Sequence, residues 1–299
     1  MNKQPSNYEP GIYFGLQNEA YHADGALSNS GAKMLLRDGP LAYWYASKAF
    51  NKNAINRQTK AMAASDRFHM LLLEPERFDR LYAVQPGGGP LDNRSVVSRI
   101  EYDEMQQAIR LINGMPKVSQ LFKGGASEVS IFWPCPRTGL MLRCRPDYLK
   151  PTICNDYKAH AEVNNKSVRF DIVKYGYDVQ AAMYVDGITA IKRLLRNGEA
   201  TVYGDHDEAW LDQFLATDDM RFVFTFQRKE PPYIIKTLEV ADDIIEIGRQ
   251  KMESAIDTYS ECLRNYGTEP WPPGKDEIDL ITLDDLPAGI FYNQRGINA

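Results

Sequence analysis

Gly139-Leu-Met-Leu-Arg-Cys-Arg-Pro-Asp-Tyr-Leu149 is followed, after only Lys150 and Pro151, by Thr152-Ile-Cys-Asn-Asp-Tyr-Lys158. Each reads as a short strand bounded by turn formers. Alternation along a strand puts Asp156 and Lys158 on one face and Tyr157 on the other. If the two strands pair, Asp147 meets Asp156 and Lys158 at one edge. Two hard anionic oxygens suit Mg²⁺ or Mn²⁺. A lysine beside them can hold a water and neutralise charge growing on a phosphate. This is a minimal kit for metal-assisted phosphodiester hydrolysis. Taken singly, Pro-Asp is more often a turn and Asp-x-Lys more often a surface pair. Their order on consecutive strands is what carries the reading.

The flanks add candidates. Upstream, Ala61 to Leu73 repeats apolar residues at helical spacing, and Pro75 is expected to stop the helix. His69 lies near its end; a lone histidine there is more often a packing residue than a ligand. Downstream, Tyr175 to Gly187 is also helical in pattern. Gln180 and Tyr184 share a face, four residues apart. They read either as packing residues with polar tips or as donors aimed at a phosphate or at Lys158.

These pieces in this order resemble the PD-(D/E)XK nuclease superfamily, and more closely the phage and prophage exonucleases of the exodeoxyribonuclease VIII (RecE-like) type. The matching text is Leu27-Ser-Asn-Ser30, His69 with the Leu-Leu-Leu-Glu-Pro75 that follows it, Glu128-Val-Ser-Ile-Phe-Trp133, Gly139 to Asp147, Asp156-Tyr-Lys158 and Tyr177-x-x-Gln180-x-x-x-Tyr184. It spans about residues 20–240. Two departures stand out: Ser65 holds the place of the usual glycine four residues before the histidine, and Asp156 stands where much of the superfamily has Glu.

The resemblance implies an α/β (α+β) fold with a restriction-endonuclease-like core, a mixed central sheet flanked by helices. It implies a metal-dependent deoxyribonuclease, most often a 5′-to-3′ double-strand exonuclease that leaves 3′ single-strand tails for recombination by annealing. The cofactor would be Mg²⁺ or Mn²⁺. Partners would be double-stranded DNA ends, a single-strand annealing protein and further copies of the chain in a ring. The setting would be the bacterial cytoplasm, with a phage or prophage source. Two other classes remain open: a structure-specific or single-strand endonuclease, and a non-catalytic DNA-binding protein on a degenerate fold.

Site roles follow from the same alignment of motifs. Asp147 and Asp156 would bind metal, with His69, the main-chain carbonyl of Tyr157 and, through water, Glu128 as further ligands. Glu128 reads equally well as a strand-edge charge. Lys158 would orient or help deprotonate the attacking water, with Gln180 and Tyr184 positioning it or a phosphate oxygen. For DNA, Ser28, Ser30, Lys33 and Arg37 lie at a helix start suited to a terminal phosphate, although the serines are also plain helix caps. Arg143 and Arg145 flank the active strand and are expected to touch the DNA backbone. Trp44 and its tyrosine neighbours either stack on bases or fill a core.

Composition agrees. The chain has 299 residues, 43% hydrophobic and 25% charged, ordinary for a globular protein with a large core. No apolar run reaches the ~18 residues of a membrane span, and the N-terminus lacks the apolar core of a signal peptide. The net charge of −5 is unevenly spread. Residues 31–60 carry Lys33, Arg37, Lys48, Lys52, Arg57 and Lys60 against Asp38 alone, whereas 201–219 are acidic without a Lys or Arg. A basic end suits phosphates, and an acidic stretch suits a face turned from DNA. Cys135, Cys144, Cys154 and Cys262 form no Cys-x-x-Cys pair, so no zinc site is expected. Some superfamily members hold an iron–sulfur cluster on one early and three late cysteines; this chain has no late trio, and no iron–sulfur cluster is expected.

The expected map is one elaborated domain over 1–299. Its core covers about 60–240, with an N-terminal helical extension over 1–55 and a C-terminal helix and tail over 240–299. Residues 1–27 look irregular. Helices are expected from Ser28 or Ser30 to Asp38, from Pro40, over 56–73, 95–112, 177–195 and 240–265. Strands are expected near 127–133, 140–149, 152–158, 221–227 and 232–238. Pro86-Gly-Gly-Gly-Pro90 reads as a flexible joint.

Overall fold

The computed structural model describes residues 3–55, 60–85, 94–274, 278, 280–282 and 285. The N-terminal stretch expected to be irregular forms β1 (Gly11–Tyr13), α1 (Asn18–Ala23) and β2 (Leu27–Ser28). Ser28 then caps α2 (Asn29–Asp38): its Oγ accepts from the Gly31 amide at 3.2 Å. Gly39, at φ 85, turns the chain into α3 (Pro40–Ala46), where proline at the first position needs no helical donor.

The histidine helix is α4 (Lys60–Leu73). It stops at Leu73, as Pro75 led one to expect: Glu74, before the proline, leaves the helical region at φ −137 and ψ 58, and Pro75 then opens α5 (Pro75–Leu81). Next come β3 (Tyr82–Gln85) and β4 (Ser95–Ser98), a parallel pair, and the expected helix starts only after them as α6 (Arg99–Gly114). The Pro86–Pro90 joint lies outside the described residues. Short α7 (Pro116–Ser119) leads to β5 (Ala126–Ser127), β6 (Ser130–Pro134), β7 (Met141–Cys144), β8 (Tyr148–Leu149) and β9 (Ile153–His160). There follow α8 (Asn165–Lys174), α9 (Tyr177–Arg196), β10 (Thr201–Tyr203), α10 (Glu208–Leu215), β11 (Arg221–Arg228), β12 (Ile235–Glu239) and α11 (Asp242–Tyr266).

One sheet runs β10-β1-β6-β7-β2 and another β12-β11-β9-β8-β5, both mixed. They are joined by a single bent hairpin. The antiparallel register Ile131↔Cys144 of β6 and β7 continues unbroken as Ser127↔Tyr148 of β5 and β8. At the bend, the Glu128 amide donates to the Asp147 carbonyl at 3.1 Å. The strand expected over 140–149 is therefore cut at Arg145-Pro146-Asp147, where the chain changes sheets. Proline removes a ladder donor there, and Glu128, at φ 52, supplies the turn on the opposite strand. β1 and β2 belong to the first sheet, so the N-terminal segment is part of the sheet rather than a helical extension beside it.

Strand β9 pairs antiparallel with β8, Tyr148↔Asn155, and parallel with β11, Asp156↔Phe224 and Lys158↔Phe226. The parallel pair needs a long crossover, which α8, α9 and α10 provide. The main core is built around α9: Phe222, Phe224 and Phe226 from alternate positions of β11 share one buried cluster with Ala181, Ile188 and Ile191 of α9 and Ile256 and Tyr259 of α11. Two glycines set these approaches. A Cβ on Gly187 would stand 2.4 Å from the Trp133 ring, and one on Gly248 would stand 2.1 Å from the Asp178 carbonyl. Both helix faces come closer than any larger residue permits. All four cysteines are buried free thiols, and burial pushes those of Cys144 and Cys154 up. Among the described residues, no helix is long and apolar enough to cross a membrane.

Candidate active site

The bent hairpin and β9 bring the first candidates together. Continuing the β8–β9 register by one residue sets Asp147 across from Asp156. The Tyr157 amide donates to Asp147 Oδ2 at 2.7 Å. Tyr157, expected to lend a carbonyl, thus meets the site through its N–H. From α4, His69 Nε2 lies 2.9 Å from the same Asp147 Oδ2, and its Nδ1 lies 3.4 Å from Glu128 Oε1. One ligand atom from each of His69, Glu128 and Asp147 falls within 4.8 Å of the others. An imidazole and two carboxylates at this spacing can hold a divalent cation that accepts oxygen and nitrogen.

The other half of the site lies on the α9 side of β9. Asp156 is almost fully buried, with Lys158 Nζ against one carboxylate oxygen and Gln180 Nε2 donating to the other. Gln180 therefore positions Asp156, not Lys158 directly. Tyr184 works one step further back. Its hydroxyl donates to the Arg145 carbonyl at 3.2 Å and accepts from Asn29 Nδ2 at 3.1 Å. It clamps the bend two residues before Asp147, and both of its hydrogen bonds go to Asn29 and Arg145 rather than to Lys158.

Burial and charge act in opposite directions here. Burial, then the neighbouring Asp147 carboxylate, push Asp156 up to about 6. Burial works against the Lys158 ammonium, but Asp156 and Asp147 outweigh it and hold its pKa above the ordinary value. His69 behaves likewise: burial opposes its charged form, and Asp147 raises it well above a free imidazole. The two carboxylates thus favour the charged form of Lys158, which suits donation to a water or phosphate oxygen.

Arg143 and Arg145 are corrected as DNA contacts. Both are buried, at 6% and 7% exposure. Arg143 donates to the Asp24 carbonyl and lies 3.5 Å from its carboxylate. Arg145 donates to Ser130 Oγ at 2.8 Å, Asn18 Oδ1 at 3.2 Å and the Leu16 carbonyl at 3.0 Å. Both guanidiniums stand over the Tyr21 ring, at 4.9 and 4.1 Å. They fasten the β1–β2 segment to the hairpin. Trp44 likewise points its indole N–H at the Thr268 carbonyl, 2.9 Å away.

The phosphate candidates divide. Ser28 is a cap, as above, and Ser30 is exposed on α2. Arg37 is exposed and paired with Asp38 at 2.6 Å. Lys33 approaches the site: its Nζ is 5.7 Å from the Tyr177 ring centre, and Lys158 Nζ is 5.3 Å from the same ring. Burial and the Lys158 charge lower Lys33 to about 8. Lys33 and Arg37 line a cavity of about 230 Å³ with Lys174 and Lys251. Those last two lysines were invisible as site residues in the sequence, because α8 and α11 reach this cavity only through the tertiary fold. Beyond Glu128, a second cavity of about 420 Å³ is lined by Arg77 and Arg80, together with Glu19 and Glu74.

A family model described as a PDDEXK-like domain of unknown function (DUF3799) matches residues 42–282. None of the curated proteins compared matches the chain. A crystal structure from Eubacterium rectale, of a protein called "Putative exonuclease", superposes with a TM-score of 0.55 at 15% identity, over 92% of this chain and 96% of that one. That likeness is one of fold.

Proposed function

The chain belongs to the PDDEXK-like domain family, and from that premise we propose that it is a metal-dependent deoxyribonuclease, acting as a 5′-to-3′ exonuclease on double-stranded DNA ends and leaving 3′ single-strand tails. The observation that carries this is the convergence of His69, Glu128 and Asp147 beside the Asp156–Lys158 pair.

His69, Glu128 and Asp147 would hold Mg²⁺ or Mn²⁺, with Asp156 close by. A divalent ion held there would supply positive charge to the phosphate in the transition state and would acidify a water. Lys158 donates to the attacking water or to a non-bridging oxygen, where its fixed charge is worth more than in bulk solvent. Gln180 holds the Asp156 carboxylate in one orientation, and Tyr184 holds the strand bend. Cations lie on both sides of the ligands: Lys33, Arg37, Lys174 and Lys251 on one, Arg77 and Arg80 on the other. The first group, with Ser30 at the exposed start of α2, suits a terminal 5′-phosphate; the second suits the backbone further along. Assembly as a ring, pairing with a single-strand annealing protein, and action in the bacterial cytoplasm from a phage or prophage source enter the proposal from the RecE-like resemblance.

The test is a linear duplex labelled at one 5′ end beside a closed circle of the same sequence, each incubated with protein and Mg²⁺ or Mn²⁺, with and without chelator. Early, chelator-sensitive release of the label with the circle intact supports the proposal. Cutting of the circle replaces it with an endonuclease. Binding without cleavage in either metal overturns catalysis altogether.

A further inference from the structure

Asp156, Lys158 and His160 take successive positions on one face of β9. The first two belong to the reaction proposed above; His160 does not. Its Nδ1 lies 3.0 Å from Asp171 Oδ2 of α8, and its Nε2 lies 3.1 Å from the hydroxyl of Tyr177, the first residue of α9. The His160 and Asp171 side chains are only 13% and 14% exposed, and Tyr177 is buried. The imidazole also packs T-shaped against Phe226, with ring centres 5.2 Å apart.

The chemistry of these groups sets the direction of both bonds. A carboxylate only accepts, so Nδ1 carries the imidazole proton. Nε2 is then the acceptor, and the Tyr177 hydroxyl donates to it. Burial outweighs the Asp171 carboxylate and lowers the His160 pKa, which keeps the ring neutral. The Tyr177 hydroxyl is thereby engaged, and its ring cannot turn away without breaking that bond.

What the fixed ring offers is a face. Lys158 Nζ stands 5.3 Å from its centre, within the range of a cation–π contact. The Lys158 ammonium ends a flexible four-carbon stem, and Asp156 holds it through one carboxylate oxygen. That single partner leaves the stem free to swing about the pair. A further carboxylate would stop the swing but neutralise the charge. An aromatic face restrains the ammonium and leaves its charge for a phosphate oxygen. Gly176, at φ 61, turns the chain out of α8 so that Tyr177 arrives here, and a Cβ at that position would stand 2.8 Å from the Lys33 stem. Of α8 only Val168 is buried, so the Asp171–His160 pair ties an otherwise shallow helix to the catalytic strand.

We propose that Asp171, His160 and Tyr177 form a positioning chain that sets the place of the Lys158 ammonium. Its use in catalysis rests on Lys158 as the donor in the nuclease reading above.

The experiment uses the full chain with ¹³C-labelled lysine, read first by NMR without DNA. The Lys158 side-chain signal is assigned by its loss in Lys158→Ala. It should be shifted upfield by the Tyr177 ring, less so in Tyr177→Phe and His160→Ala, and not at all in Tyr177→Leu. Initial rates on linear duplex with Mn²⁺ come second. Tyr177→Phe, which keeps the ring and drops the tether, and His160→Ala should each lower kcat roughly tenfold, with KM unchanged. His160→Gln, which returns an acceptor oxygen to the place of Nε2, should recover most of kcat. A Lys158 signal that neither Tyr177→Phe nor His160→Ala moves overturns the chain. So does a kcat unchanged in both while Lys158→Ala is inactive, and so does a raised KM at unchanged kcat; each of these leaves the nuclease reading intact. Cleavage that survives Lys158→Ala removes Lys158 from the reaction, whereas the NMR shifts would still establish what holds its ammonium.

Discussion

Glu128 and Asp147 are partners twice over: the amide of Glu128 donates to the carbonyl of Asp147 at 3.1 Å, and their two carboxylates converge on the same imidazole of His69. The backbone bond fixes the bend, and the bend fixes the two carboxylates beside His69.

That bend has a measurable strain. Glu128 sits at φ 52, where a Cβ costs about 1–2 kcal/mol that glycine avoids. Glu128→Gly should therefore be more stable than Glu128→Ala by about 1 kcal/mol in urea unfolding, while both bind Mn²⁺ more weakly than the parent. Equal stability of the two variants would show that the left-handed turn is unstrained.

Asp156→Ala should lose DNA cleavage by on the order of 10³-fold or more and keep its circular dichroism and duplex binding. Retained cleavage would move the catalytic centre elsewhere.

Lys33 gives a pH dependence of known sign. Its folded pKa is lowered to about 8, so its charge is present below that value and lost above it. Duplex affinity in the absence of metal should fall as pH rises past about 8, by up to roughly tenfold per unit for one required proton. Lys33→Arg, which stays charged, should flatten this step. A slope unchanged by that substitution would show that Lys33 does not face the DNA phosphate.

Tyr184→Phe leaves the Arg145 carbonyl and the Asn29 amide short of a partner in the interior. The loss should be about 1–3 kcal/mol of stability, with a fall in cleavage smaller than that of Asp156→Ala. Full stability with severely reduced cleavage would instead place the hydroxyl in the reaction.

Much of this was readable from the chain. Asp147, Asp156, Lys158 and Gln180 stood out because each belongs to a local pattern, a strand alternation or a helical repeat, that survives folding. For Glu128 the chain left two readings, a ligand through water or a strand-edge charge, since its approach to His69 depends on a left-handed residue and a register set by partners up to 23 residues away, as at Ala126↔Leu149. Arg143 and Arg145 misled because a cation beside an active strand looks solvated; their acceptors, Asp24 and the Leu16 carbonyl, come from more than a hundred residues earlier. Strands β1, β2 and β10 were missed because two or three residues hold no period, and their pairing comes from the sheet they join.

One long hairpin serves both sheets, so two of the proposed metal ligands, Glu128 and Asp147, stand on the crease of a folded page. A hinge line is where a small rotation of either leaf becomes a change in spacing. Packing far from the reaction, such as Trp133 against Gly187, is thereby tied to the gap between Glu128 and Asp147. On the proposed reading, residues that only fill the interior set the spacing of the centre, and substitutions there should register in metal affinity.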